Sequence, residues 1–483
     1  MKYLQDNTPS GRSILDIQRL LDSGALTSVE VVQFFLQRIA HYDTTPGGIN
    51  ALLQINPDAL FIADAMDAER GAGGARGPLH GIPVLLKDNI DTSDRMPTSG
   101  GTHALRNSFA LRDSFVAQQL RRAGAIILGK ANLTELANSM TRGMPNGYSS
   151  WGGQVRNPYG DFDVGGSSSG SAAAVAANLA SVSVGTETSG SILHPASHNS
   201  IVGIKPTVGL ISRTGIIPIS HSQDTAGPLA RSVTDAAVLL GILTGKDEED
   251  PATWTTDLRG QMDYTQFLQP HSLEGARLGF VRLPSYEKLD RDLMVLAERA
   301  LENLAGCGAE IVDPAPLQYD EKGYRTRAMV YEFKAAMNVY LSRLRPEVPV
   351  HSLDELITYN REHAEITLKY GQRTLVEAER TRGTLTEPEY ILGRAGDLKA
   401  SRDEGIDSTL QEHHLDALLF VGAGGSGIAA RAGYPSICVP AGYTPGGLPL
   451  GLTFTAEAYS EPTLIGLAYA FEQATGYRVP PSL

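Results

Sequence analysis

Apolar positions in the first part of the chain recur at helical spacing. "SILDIQRLLDSGALTS" carries them as far as Gly24, and the next run sets Val31, Phe34, Phe35, Arg38 and Ile39 on one face. Thr27 and Glu30 have the spacing of a capping box at the start of that second helix. From about residue 80 the rhythm changes to short apolar runs set between helical ones. "IPVLL" (82–86), "AIILG" (125–129) and "SVSVG" (181–185) read as strands. "SFVAQQLRRAG" (114–124) and "SAAAVAANLA" (171–180) read as helices, and "NLTELANSM" opens another with Asn132 as its cap. This alternation predicts an α/β layer protein, helices packed over a central sheet.

Residues 245–410 differ, with more charge and longer helical patterns such as "RDLMVLAERALENLAG" and "EFKAAMNVYLSRLR". The tail returns to strands, "DALLFVG", "SICVPAG" and "LGLTFT", and ends in a helix through "PTLIGLAYAFEQATG". Strands from both ends in one sheet imply a single intertwined domain rather than independent modules. Its expected parts are N-terminal helices (1–75), a catalytic core (76–240), a variable, largely helical segment covering one side of the site (245–410) and C-terminal strands and helix returning to the core (411–483).

Composition narrows the function. With 42% hydrophobic and 20% charged residues the chain is of ordinary globular type, and a net charge of −13 argues against a nucleic-acid surface. The two cysteines, Cys307 and Cys438, form no CxxC pair, so a disulfide framework or zinc site has no support. "MKYLQDNTPSGRS" lacks the apolar core of a signal peptide, and no apolar run is long enough to span a bilayer. The expectation is a soluble, cytoplasmic monomer or homodimer, or an exported one if a leader has been removed.

Three stretches carry candidate chemistry. In "GIPVLLKDNID", Lys87 ends an apolar strand, where burial would lower its pKa; taken on its own, the stretch reads better as a solvated lysine. "GGSSSGSAAAVAA" formally contains a nucleophile elbow centred on Ser168, but the preceding "RNPYGDFDV" reads as a loop and not the strand an elbow needs. No Gly-Lys-Ser/Thr closes it as a P-loop. In "GTETSGSILHPA" the chain turns between a strand and Pro195. The N–H groups of Thr188, Ser189, Gly190 and Ser191 could converge there on an oxyanion, and a plain tight turn is the alternative.

Taken together, and with "GAIILGKANLTELA", "VGIKPTVGLISRTGIIPISHSQDTAGPLARSVTDAA" and "IAARAGYPSICVPAGYTPGGLPLGLTF", these stretches resemble the amidase signature family. The resemblance covers most of residues 10–240 and 410–475, and the spacing of 24 residues from Ser167 to Ser191 agrees. It implies one large domain with a central mixed β-sheet covered by helices. It implies Ser191 as nucleophile, Ser167 as a bridging serine held by a cis peptide, and Lys87 as base. Thr188, Ser189, Gly190 and Ser191 would form the oxyanion loop, with Ser168 and Thr186 supporting the hydrogen-bond network. Two departures stand out: Ser189-Gly190 replaces the family's common Gly-Gly, and Leu193-His194 replaces an arginine frequent after the nucleophile.

The implied reaction is hydrolysis of carboxylic amide C–N bonds through an acyl-enzyme, with no metal or cofactor. Lysine is a base only when neutral, and at its reference pKa only about one in a thousand is neutral near pH 7.4, so burial is required. Resemblance is strongest to the peptide amidase subgroup, implying peptide-amide or other small-molecule amide substrates. Alternatives are a carbamate (urethane) or aryl acylamide hydrolase, an amidotransferase A-type component that needs partners, and a binding protein that keeps the fold without the chemistry.

Overall fold

Local signals fix the N-terminal helices. Ser13 and Asp16 form a capping box ahead of the helix Ile14–Asp22, and Thr27 with Glu30 forms the expected one ahead of Ser28–Tyr42. On the second helix Val31, Phe35 and Ile39 are buried, while Arg38 gives its guanidinium to the carbonyls of Ala177 and Asn178. The computed structural model describes residues 8–256, 262–284, 286–318 and 328–483.

The strands are β1 (Leu52–Ile55), β2 (Pro83–Lys87), β3 (Ile126–Ala131), β4 (Tyr148–Ser149), β5 (Gly153–Gln154), β6 (Val182–Glu187), β7 (Val202–Lys205), β8 (Thr225–Ala230), β9 (Arg277–Phe280), β10 (Glu310–Val312), β11 (Ala417–Val421), β12 (Ser436–Tyr443) and β13 (Pro449–Thr455). Apart from the small β4–β5 hairpin they form one mixed sheet in the order β1-β3-β2-β6-β8-β7-β12-β13-β11-β9-β10. β2 runs parallel to both β3 and β6 and is buried along its whole length, which is why it reads as an unbroken apolar run. The two halves of the sheet meet where Ile437 of β12 pairs with Ile204 of β7. The single large domain with a mixed sheet under helices is therefore as expected.

The structure departs from the sequence reading at several elements, beginning with β1, β7 and β8, which the apolar pattern did not mark as strands. The segment after residue 245 also supplies β9 and β10, four and three residues long at one edge of the sheet, too short to show a two-residue period. The helix expected from "NLTELANSM" shrinks to a four-residue turn, Glu135–Asn138, of left-handed backbone: Leu136, Ala137 and Asn138 have φ of 47°, 51° and 72°. Tertiary bonds outweigh propensity there. The Leu136 N–H donates to Gly100 O at 2.8 Å, and the buried Glu135 carboxylate accepts from Ser150 N–H at 2.7 Å. Asn132 does not cap a helix; its Oδ1 accepts from the Leu133 N–H and the Ser149 hydroxyl.

Helix Ser169–Ala176 is built of small residues, all buried, and packs against β6. A Cβ on Gly170 would lie 2.2 Å from Ala51 O, so only glycine permits this approach. The later helices Ala328–Leu341, Leu353–Glu362 and Arg373–Glu379 bury Phe333, Met337, Leu356 and Leu375 in a second core. That core also takes in Ile217, Ile219, Leu136 and Met140, so it lies against the loops at the end of β2.

Candidate active site

Lys87 is the last residue of β2 and has no exposed surface. Its Nζ lies 2.8 Å from Ser167 Oγ, 3.0 Å from Thr186 Oγ1 and 3.1 Å from Thr186 O. Among the described residues no carboxylate touches it. Burial pushes the amine down from 10.5 to about 7, against the pull of the Glu187 and Asp224 carboxylates further off. Asp88, next in sequence, faces away: it accepts from Ser99 and Gly101 and sits in the field of Lys130. Strand alternation keeps the two side chains apart.

Ser167 precedes the small-residue helix and follows Gly166 through a cis peptide bond. Its carbonyl accepts from the Thr134 N–H at 3.1 Å. The Ser168 hydroxyl donates to Thr186 O at 3.0 Å and accepts from the Thr186 N–H at 3.2 Å. Ser168 is fully buried and no strand leads into it, so the elbow reading does not apply. Thr186 is the hub: its hydroxyl also accepts from Asn89 Nδ2 at 3.0 Å.

Ser191 sits at the end of the loop that leaves β6, 8% exposed. Among the described residues its hydroxyl makes no hydrogen bond, while its carbonyl accepts from the Ser168 N–H at 3.2 Å. The structure thus brings Lys87, Ser167, Ser168 and Thr186 into direct contact, with the loop carrying Ser191 bound to the same turn.

One expectation for this loop needs correction. The Gly190 N–H is already engaged: it donates to Glu187 Oε1 at 2.7 Å. The N–H groups of Ile192 and Leu193 donate to the other Glu187 oxygen, at 2.7 and 3.1 Å. A carboxylate folded inside the turn therefore holds it open, and among the described residues the loop donors left uncommitted are those of Thr188, Ser189 and Ser191. Thr188 is fixed from outside. Its hydroxyl donates to Asp224, and its carbonyl accepts from Gln223 Nε2 at 3.2 Å. Glu187, Asp224 and Gln223 were missed in the sequence. The signal for Glu187 was a lone acid directly ahead of a run of small residues, where capped N–H groups need an acceptor.

A cavity of about 900 Å³ opens beside this loop, with Thr186, Glu187 and Thr188 on one wall and Ala336, Val339 and Tyr340 on another. Ser167 and Ser191 stand outside its lining, so the cavity flanks the loop without containing the serines. Cys307 and Cys438 are unpaired thiols. Among the described residues no helix is long and apolar enough to cross a membrane.

Comparison with known proteins shows the family to which the whole chain belongs. The Amidase family model matches residues 30–465. A probable amidase of Arabidopsis thaliana is 41% identical, over 97% of this chain and 91% of that protein. The native peptide amidase of Stenotrophomonas maltophilia is 45% identical, with a TM-score of 0.91 over 98% of this chain and 99% of that one. A glutamyl-tRNA(Gln) amidotransferase component from Halorhodospira halophila is 32% identical, over 96% of this chain and 98% of that protein. From the family match and these similarities along nearly its whole length, the chain belongs to the amidase family and is an amide-hydrolysing enzyme.

Proposed function

We propose that this enzyme removes the C-terminal amide nitrogen of peptides through an acyl-enzyme on Ser191, with Ser167 as proton bridge and Lys87 as base. The observation that carries the reading is the Lys87 amine, wholly buried, out of contact with any described carboxylate and 2.8 Å from Ser167 Oγ. A neutral amine offers two N–H donors and one lone pair. Thr186 O accepts only, and Thr186 Oγ1 can accept the second N–H, which leaves the lone pair for the Ser167 O–H. The Ser167 oxygen is then free to accept the proton of Ser191 as it attacks the amide carbonyl.

The uncommitted N–H groups of Thr188, Ser189 and Ser191 would hold the developing oxyanion. The proton returns through Ser167 to the leaving nitrogen, which departs as ammonia, and water then hydrolyses the ester by the reverse route. The peptide-amide preference is supported by 45% identity to peptide amidase over nearly all of both chains. A second reading, an amidotransferase component dependent on partners, is favoured by full-length relatives of that name. Turnover by the purified chain of a peptide amide, an acyl anilide and a carbamate, with and without glutamine, separates these readings. Ser191→Ala and Lys87→Ala should each lower kcat by at least about a thousandfold, and Ser167→Ala should remove much of it. Near-normal rates in Lys87→Ala at neutral pH would overturn the base assignment.

A further inference from the structure

His194 lies three residues beyond Ser191, in the short helix Leu193–His198. Its Nδ1 accepts a hydrogen bond from the Gly166 N–H at 3.3 Å, across 28 residues of sequence. The turn that carries Ser167 is held at four backbone positions. The Gly165 N–H donates to Asp163, the Gly166 N–H to His194, the Ser167 carbonyl accepts from Thr134, and the Ser168 N–H donates to Ser191 O. Two of these four anchors, those on either side of Ser167, come from the segment that carries Ser191.

The two segments also touch without hydrogen bonds. A Cβ on Gly165 would lie 2.6 Å from Pro195 Cα, so no side chain separates them. The His194 ring stacks edge-on against His198 with centroids 4.3 Å apart, and His198 Nδ1 donates to Asp163 O at 2.9 Å. The imidazole is thereby wedged between the two turns with its lone pair on Gly166.

From this geometry we infer that His194 is a positioning residue that sets the register of Ser167 against Ser191. The role requires an acceptor at Nδ1. A guanidinium at this position has donors only and could not receive the Gly166 N–H. Burial and the neighbouring His198 lower the His194 pKa from its ordinary value, which keeps the ring neutral and the lone pair available through the neutral range. The inference rests on Ser167 and Ser191 acting together, as proposed above.

Three variants test it. His194→Asn keeps an acceptor at the same number of bonds from the backbone as Nδ1, His194→Gln carries its polar atoms one bond too far, and His194→Leu has none. Each is assayed for the rate of fluorophosphonate labelling of Ser191 and for kcat and KM on a peptide amide, with thermal melting to confirm folding. The expected result is labelling and kcat within about threefold of the parent for Asn, and a fall of about tenfold or more for Leu and Gln at nearly unchanged KM. A purely structural role would move melting without separating Asn from Gln. Parent-like labelling and kcat in Leu and Gln, or equal losses in all three, overturns the inference. Where Leu fails to fold, Asn against Gln decides. A parent enzyme that resists labelling overturns the Ser191 reading and this inference with it; labelling of the parent with indifferent variants overturns His194 alone.

Discussion

Lys87 occupies a place where a positive charge is expensive, and its chemistry follows from that cost. Because its folded pKa is about 7 against 10.5 unfolded, the folded chain binds fewer protons than the unfolded one between those values. The destabilisation is therefore complete below about pH 7 and fades as pH rises towards 10.5. Lys87→Met should raise the melting temperature at pH 6 and raise it much less at pH 9, which calorimetry at the two pH values would check. The parent's kcat/KM should climb with pH through a single ionisation near 7, the pH at which the free enzyme's amine loses its proton. A flat profile from pH 6 to 9 would contradict the assignment. The sequence announces a lysine at a strand end but not its burial. That depends on Ser167 and Thr186, brought in from distant positions along the chain.

Among the elements, the loop after β6 is the most instructive. Its wealth of N–H groups is visible in "GTETSGSILHPA", yet its shape depends on Glu187, whose carboxylate takes three of them at 2.7 to 3.1 Å. Glu187→Gln keeps one oxygen acceptor and replaces the other with a donor, so at least one buried N–H loses its partner. A loss of about 1–3 kcal/mol is expected, together with a fall in kcat of about tenfold as the donors facing the carbonyl drift. Denaturant melts and steady-state rates measure both. Regular elements were legible because their signals are local: the Thr27–Glu30 box and the apolar β2 are both found as expected. "NLTELANSM" was misread because its backbone bonds go to Gly100 and Ser167, partners that no window of neighbouring residues contains.

Across the whole molecule, the two halves of the sheet come from stretches separated by the long helical segment, and the sequence pattern located strands in both while missing β1 at one edge, β7 and β8 within, and β9 and β10 at the other edge. β9 and β10, of four and three residues, carry too few positions for any period to emerge. The helical segment buries its second core against Ile217 and Ile219, so its removal should strip the cover from that flank. A protein with residues 328–401 replaced by a short linker should bind a hydrophobic dye that the parent ignores, as newly bared apolar surface requires. The junction of β7 with β12 has a further consequence during synthesis. β7 ends at Lys205, but the strand that completes its far side begins only at Ser436. Until the ribosome has passed that residue, the nascent chain presents an open backbone edge at the middle of its future sheet, able to recruit any extended segment nearby. Truncation at residue 240 should therefore yield aggregates rather than a soluble half-enzyme, and co-expression of the missing C-terminal piece should restore soluble protein.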